Sequence, residues 1–190
     1  NEEQNESLKG VSRVESLRII LQWGNVTCSE NEFERYLDEK NQDYLSYVHK
    51  MTSKDILPDV SKILDHIRSK EQPVALGSAS KNAKIILEKI GIYNIFKAII
   101  DGNEVSKAKP DPEVFLIAAE KMNIAPENCI VFEDSIAGIE AANKAKMITV
   151  GIGNKTVLHH ADYVFSDFTA IHIDFIDKLL NHESELHHTK

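Results

Sequence analysis

Three short stretches of the chain carry residues whose types can do chemistry. The first is "CIVFEDSIAGIEAA", Cys129 to Ala142, where an apolar run ends in two adjacent acids, Glu133 and Asp134. Carboxylates without amine neighbours are hard oxygen ligands and suit Mg2+. Two of them about 4 Å apart repel by roughly 4 kcal/mol at an effective dielectric of 20, and a divalent cation turns that cost into a gain. The second stretch is "GSASKN", with Ser78, Ser80, Lys81 and Asn82 placed where a helix opens. Free backbone N–H groups at such a point bind anions, and a lysine adds charge. The third is "KAKPDP", in which Lys109 precedes Pro110 and is biased to an extended conformation. Each stretch also has a plain structural explanation. Asp134 could cap a helix starting near Ile136, Ser80 could cap another beside an exposed Lys81, and Lys109 could be a solvated loop lysine.

The elements that must position these residues follow from hydrophobic periodicity. From Leu57 onward, short apolar runs alternate with helical patterns. "DVSKILDHIRSK" is helix, "PVALGSAS" strand, "NAKIILEKIGI" helix, "KAIID" strand, and "DPEVFLIAAEKMN" helix with Pro112 in its first turn. "CIVFED" is strand, "AGIEAANKAK" helix, "MITVGIG" strand, "DYVF" a last short strand, and "FTAIHIDFIDKLLNHE" a closing helix. This alternation predicts the α/β class, with a Rossmann-like parallel sheet covered by helices on both faces. In open parallel sheets ligands collect outside the carboxyl ends of the strands. Ser78 to Asn82, the loop carrying Lys107 and Lys109, and Glu133-Asp134 all follow such ends. Together they suit Mg2+-assisted phosphoryl transfer, where positioning and charge neutralisation do most of the work.

Upstream, the pattern is purely helical. "VESLRIILQW" places Val14, Leu17, Ile20 and Leu21 on one face, and Gly24 ends the helix. Ser29 with Glu32 forms a capping-box pattern ahead of the stripe Phe33, Tyr36, Leu37, Tyr44 and Val48. Trp23 and Met51 are expected in the core of this unit. The division expected is residues 1–54 as a helical cap and 55–190 as the α/β core.

The formal net charge of −8 over 190 residues repels nucleic acid and anionic membranes. It also repels phosphorylated metabolites, so a phosphate site must be built from local cations. No run of 18 apolar residues is present, which excludes a transmembrane helix. Cys28 and Cys129 are read as reduced thiols of a cytoplasmic protein, expected to be a monomer. The triplets starting at Asn5, Asn25 and Asn154 fit the glycosylation pattern and are set aside as chance. The pairs His159-His160 and His187-His188 are not expected to share a face.

With these residues in view, the chain resembles the haloacid dehalogenase superfamily of phosphotransferases, and within it the β-phosphoglucomutase family. The segments that carry the resemblance are "LKGVSRVESL", "ALGSASKNA", "KAKPDPEVF" and "FEDSIAGIEAA". The last two specify the superfamily, while "LKGVSR" with "SASKN" points to the mutases. The resemblance implies that Glu133 and Asp134 bind Mg2+, that Lys109 neutralises the transferring phosphoryl group, and that Ser78 bonds one of its oxygens. It implies that Ser80, Lys81 and Asn82 contact the phosphate and sugar of the substrate. Gly10, Val11 and Arg13 would hold the non-transferring phosphate, with the cap closing over a sugar phosphate to exclude water.

The activity implied is interconversion of β-glucose 1-phosphate and glucose 6-phosphate through a phospho-Asp enzyme. The alternatives are a sugar-phosphate phosphatase of the same superfamily and a non-catalytic binding protein. The family's D-x-D-G motif, which supplies nucleophile and general acid/base, has no counterpart here, because no two Asp residues lie two apart. The expectation is that this motif and its strand precede Asn1, that the strand belongs in the middle of the sheet, and that these 190 residues alone are inactive.

Overall fold

The computed structural model describes Gln4 and residues 8–186, with side chains as far as Asn181; the Asn5 triplet and the His187-His188 pair lie outside the described residues. From Arg13 the chain forms two helices, α1 (Arg13–Trp23) and α2 (Glu30–Val48). Ser12 caps α1 through the Glu15 N–H, and Gly24 ends it. At the start of α2 the capping box forms: Ser29 N–H donates to Glu32 Oε2 at 2.8 Å, and Glu32 N–H to Ser29 Oγ at 3.4 Å. A cap of this kind is worth about 1 kcal/mol. Leu17, Leu37 and Val48 are the buried apolar residues of the pair. Trp23 was expected in this core and is not there. It is 39% exposed, because it occupies the last turn of α1, beyond the reach of α2's buried stripe.

After a short 3-10 turn at Ser53–Asp55 the chain alternates as expected. The order is α3 (Val60–Ser69), β1 (Ala75–Gly77), α4 (Ala83–Lys89), β2 (Ala98–Ile100), α5 (Glu113–Met122), β3 (Ile130–Glu133), α6 (Ile136–Lys144), β4 (Ile148–Ile152), β5 (Tyr163–Phe165) and α7 (Ile173–Leu186). Two boundaries differ from the sequence pattern. Pro112 is the residue before α5, not in its first turn. The closing helix starts at Ile173, because Asp167 accepts the Thr169 N–H and turns 168–170 into a separate 3-10 segment.

All strand pairing is parallel. β1 pairs with β2, Leu76 opposite Ile99. β3 pairs with β4, Phe132 opposite Val150, and β4 with β5, Gly151 opposite Val164. Successive residues of a strand face opposite sides, and the cores follow that rule. Val131 of β3 joins Ile100 of β2, Val114, Phe115, Ala118 and Ala119 of α5, and Ala141 and Ala142 of α6. Phe132 packs on the other side, against the core of Ile63 from α3 and Ile176 from α7. Helices therefore cover both faces. Burying Ile100 or Ile176, each at most 2% exposed, contributes about 1.5–3 kcal/mol per side chain.

The sheet is not continuous. Among the described residues it falls into a two-stranded part, β1-β2, and a three-stranded part, β3-β4-β5. The helix α5 packs into the core beneath both, so they lie in one layer. β1 and β3 thus each keep one edge without a strand partner, which is the place expected for a middle strand. β1 is only half-buried along its whole length, whereas β4 is buried at its three central residues.

Candidate functional site

The carboxyl ends of β1 and β3 are joined by one side chain. Lys109 Nζ donates to Gly77 O at 3.2 Å and to Glu133 Oε2 at 2.8 Å. It also lies 4.7 Å from the centre of the Phe115 ring. Both partners of the ion pair are buried, with side chains 5% and 8% exposed, so Lys109 is not a solvated loop lysine. Its loop is held from the following helix. The Glu113 carboxylate accepts the N–H groups of Ser106 at 2.9 Å and Lys107 at 2.6 Å. Those bonds, the one from Ser106 most, hold Glu113 below its ordinary value.

Glu133 sits in a socket. Its Oε1 accepts the Ser135 N–H at 3.1 Å and the Ser135 O–H at 2.6 Å. Gly138, in the first turn of α6, lies directly against its carboxyl group, and a Cβ there would collide with Glu133 Cδ. Ser135 is the residue that caps α6, taking the Gly138 N–H at 3.0 Å. Asp134 is therefore not the helix cap, and its side chain, 61% exposed, turns to open space. Lys9 Nζ stands 3.9 Å from Asp134 Oδ2. The surrounding walls and the Glu133 charge push the Asp134 carboxyl above its ordinary value, with Lys9 opposing. Solvent access keeps this effect small.

Between β1 and α4 the chain folds on its own hydroxyls. Ser78 Oγ accepts the Ser80 N–H and Ser80 Oγ accepts the Asn82 N–H, both at 3.1 Å. Asn82 is buried, and its amide reaches the helical cap, donating to Asn41 Oδ1 of α2 at 3.0 Å.

These groups meet in one cavity of about 440 Å3. Its walls include every residue that the sequence singled out: Gly10, Val11, Arg13, Ser78, Ser80, Lys81, Asn82, Lys109, Glu133 and Asp134. A second cavity of about 500 Å3 adjoins it and shares Arg13, Ser78, Lys81 and Lys109. Of the other residues lining the first cavity, the sequence pattern does not point to the polar side chains Ser16 on α1 and Lys40, Asn41 and Tyr44 on α2. Only Tyr44 carried a signal, and it was assigned to an apolar stripe. His159 and His160 stack at 3.9 Å between ring centres, far from this cavity in the chain, and no cluster of three metal-ligating side chains exists among the described residues.

The donor set suits a hard dication. Asp134 offers carboxylate oxygen to the cavity, Glu133 stands beside it, and Mg2+ commonly takes one or two carboxylates and completes its shell with water and phosphate. Arg13, Lys81 and Lys109 on the same walls are the local cations that an acidic chain needs to hold a phosphate. No helix of the described residues is long and apolar enough to cross a membrane.

Comparison with known proteins shows the family. The model of the haloacid dehalogenase-like hydrolase family matches residues 3–146. The chain is 37% identical over 164 residues to a β-phosphoglucomutase of Bacillus subtilis, covering 85% of this chain and 73% of that protein. It is 29% identical over 146 residues to a phosphorylated carbohydrates phosphatase of Thermotoga maritima, covering 76% of this chain and 65% of that one. Among solved structures, a β-phosphoglucomutase from Clostridium difficile superposes with a TM-score of 0.89 at 41% identity, over 96% of this chain and 82% of its own. The chain belongs to the haloacid dehalogenase-like hydrolase family.

Proposed function

We propose that this chain forms most of a Mg2+-dependent phosphotransferase that interconverts β-glucose 1-phosphate and glucose 6-phosphate through a phospho-Asp enzyme. The observation that carries this reading is the convergence of ten residues, from four separate segments of the sequence, on one cavity of about 440 Å3. In this reading Asp134, with Glu133 beside it, holds Mg2+, which when bound neutralises charge on the transferring phosphoryl group. Lys109 adds a second positive charge at the same point, and Ser78, whose oxygen already accepts the Ser80 N–H, has its O–H free to donate to a phosphoryl oxygen. Arg13 grips the other phosphate with its planar fork. Ser80, Lys81 and Asn82 receive the phosphate and sugar. Residues 1–54 act as a cap over residues 55–190, and closure excludes water from the phospho-Asp.

In this reading the nucleophile is supplied by a further strand between the free edges of β1 and β3. Uncatalysed phosphate-monoester cleavage is so slow that acceleration can approach ~10^21, which a cation site, a lysine and hydroxyls do not reach alone. These 190 residues alone are accordingly inactive. The decisive experiment is Arg13→Ala in the full-length protein, assayed with β-glucose 1-phosphate. The expected result is loss of mutase turnover by about 100-fold or more, from a lost bidentate phosphate contact. Turnover equal to the parent's defeats the assignment. A second reading, hydrolysis of a sugar phosphate, is favoured by the match to the Thermotoga maritima phosphatase. Release of inorganic phosphate without isomerised sugar identifies it.

A further inference from the structure

β2 ends at Ile100, and the next residue is an acid with no part in the chemistry above. Asp101 is 1% exposed and forms no ion pair among the described residues. Burying a carboxylate is costly unless its oxygens are hydrogen-bonded. Asp101 Oδ1 accepts the Asn103 N–H at 2.8 Å, and Asp101 O accepts the Glu104 N–H at 3.0 Å, which closes a tight turn over residues 101–104. Glu104 at the end of that turn is clamped by Lys121 of α5 and by Lys84 of α4, the latter at 2.8 Å.

The turn presses on the loop that opens α4. Gly102 N–H donates to Ser80 O at 3.4 Å, and Asn103 Nδ2 to Lys81 O at 3.3 Å. A Cβ on Gly102 would stand 2.6 Å from Ala79 O and 3.2 Å from Lys81 Cγ, so a glycine is required by the close approach of two backbones. In a trans peptide the N–H points opposite to the C=O. Drawing the Ser80 and Lys81 carbonyls to the turn therefore aims the following N–H groups, those of Lys81 and Asn82, away from it, the Asn82 N–H onto Ser80 Oγ at 3.1 Å. Ser78 to Asn82 line the cavity of about 440 Å3, which no residue of the turn reaches, and Gly102 alone of the turn borders the adjoining cavity of about 500 Å3.

We propose that Asp101 and Gly102 are positioning residues for the phosphate-binding loop: the Asp101 turn fixes the Ser80 and Lys81 carbonyls from beneath, and so pre-sets the loop for a phosphate ester. The proposal rests on the reading above that Ser78 to Asn82 receive such an ester. The working feature is the acceptor oxygen of Asp101, not its charge, which separates the role from a general electrostatic one.

The test uses Asp101→Asn, Asp101→Ala and Gly102→Ala in the full-length protein. Steady-state kinetics are measured with β-glucose 1-phosphate, and amide hydrogen exchange at Ser80 and Asn82 without substrate. Asp101→Asn keeps the acceptor, and KM and exchange stay within about twofold of the parent. Asp101→Ala and Gly102→Ala raise KM about tenfold or more with kcat changed less than about threefold, and speed exchange at both amides about tenfold. Parent-like KM and exchange in Asp101→Ala overturn the proposal. So does an Asp101→Asn protein as impaired as Asp101→Ala, which makes the charge the working feature. If Asp101→Ala does not fold, Gly102→Ala against Asp101→Asn decides by the same criteria. If the parent turns over no sugar phosphate, the functional reading fails, and the exchange measurement still decides whether Asp101 sets the loop.

Discussion

The buried pair Lys109–Glu133 gives a stability prediction that can be worked from the structure. At 2.8 Å the two charges attract by about 6 kcal/mol at an effective dielectric of 20, most of it offset by desolvation. Replacing Lys109 by Met keeps an unbranched apolar side chain of similar reach and removes the charge, whose Nζ lies 4.7 Å from the Phe115 ring centre. Breaking one side of a buried pair costs about 3–5 kcal/mol, because the other charge is left uncompensated. Glu133 would retain two donors, the Ser135 N–H and O–H, so the cost falls at the lower end, about 3 kcal/mol. Adding Glu133→Gln removes the stranded charge and keeps an oxygen for Ser135. The double variant should recover at least about 1.5 kcal/mol of the loss while remaining inactive. Urea unfolding of the full-length parent, both single variants and the double variant completes the cycle. A Lys109→Met midpoint that moves by less than about 0.5 kcal/mol, or a coupling energy below about 0.5 kcal/mol, refutes the reasoning. It would mean that water reaches the pair and screens it.

Two further outcomes follow from the packing. Ile100→Ala, at a fully buried side chain between β2 and α5, should lower stability by about 2–5 kcal/mol in a denaturant titration; a loss under about 1 kcal/mol would show that the site collapses around the gap. His66 Nε2 lies 2.8 Å and Lys70 Nζ 3.3 Å from Asp177 Oδ1, tying α3 to α7, and the His66 bond, then Lys70, hold Asp177 below its ordinary value. A depressed carboxyl stabilises above its unfolded value, about pH 4, and loses that contribution as pH falls through its folded one. Asp177→Asn should therefore melt below the parent at pH 7, with the two curves merging under about pH 4; a constant offset at all pH contradicts the assignment.

How much of this was legible in the sequence depended on which force fixed each residue. The strand ends were readable because an apolar run followed by a polar residue marks where a parallel strand leaves the core; Ser78 and Glu133 sit at or just after such ends, and Lys109 lies in the long loop that follows β2. The capping box at Ser29 was readable because its bonds are local. The cap's contribution was not. Lys40 and Asn41 are two polar residues in a polar helix face, and only tertiary docking of α2 brings them to the cavity. Tyr44 has helical spacing from Leu37 and Val48, yet it is 45% exposed while they are buried, because a tyrosine at the rim satisfies the same period. Whether Asp134 caps the helix could not be read from spacing, since Asp134 and Ser135 both qualify; the φ of −119° and ψ of 147° at Ser135, with its Oγ on Gly138 N–H, make Ser135 the cap. Glu113 was read only as the start of a helix, and its bonds run back six and seven residues to a loop with no periodicity of its own.

The break in the sheet and the position of the cavity have one cause. A strand paired to the free edges of both β1 and β3 would run parallel to them, as all strands here do. Its last residues would then leave the sheet between Gly77 and Glu133, the two groups that Lys109 joins. That places them beside the Ser78 hydroxyl and under the open carboxylate of Asp134. A carboxylate delivered there would meet the Lys109 ammonium, the Asp134 carboxylate proposed to hold Mg2+ and the Ser78 hydroxyl. The same placement explains why so many charged and polar groups converge on an edge that has little apolar surface to bury. In the function proposed above they surround the end of such a strand, and the chemistry needs that strand to finish in an acid. Reconstituting the 190-residue chain with a separate peptide strand tests this directly. A peptide ending in D-x-D-G should restore transfer of a labelled phosphoryl group from a sugar bisphosphate to an aspartate, with release of the sugar monophosphate, and the same peptide with its first Asp replaced by Asn should bind without being labelled. Equal labelling of both would place the nucleophile elsewhere.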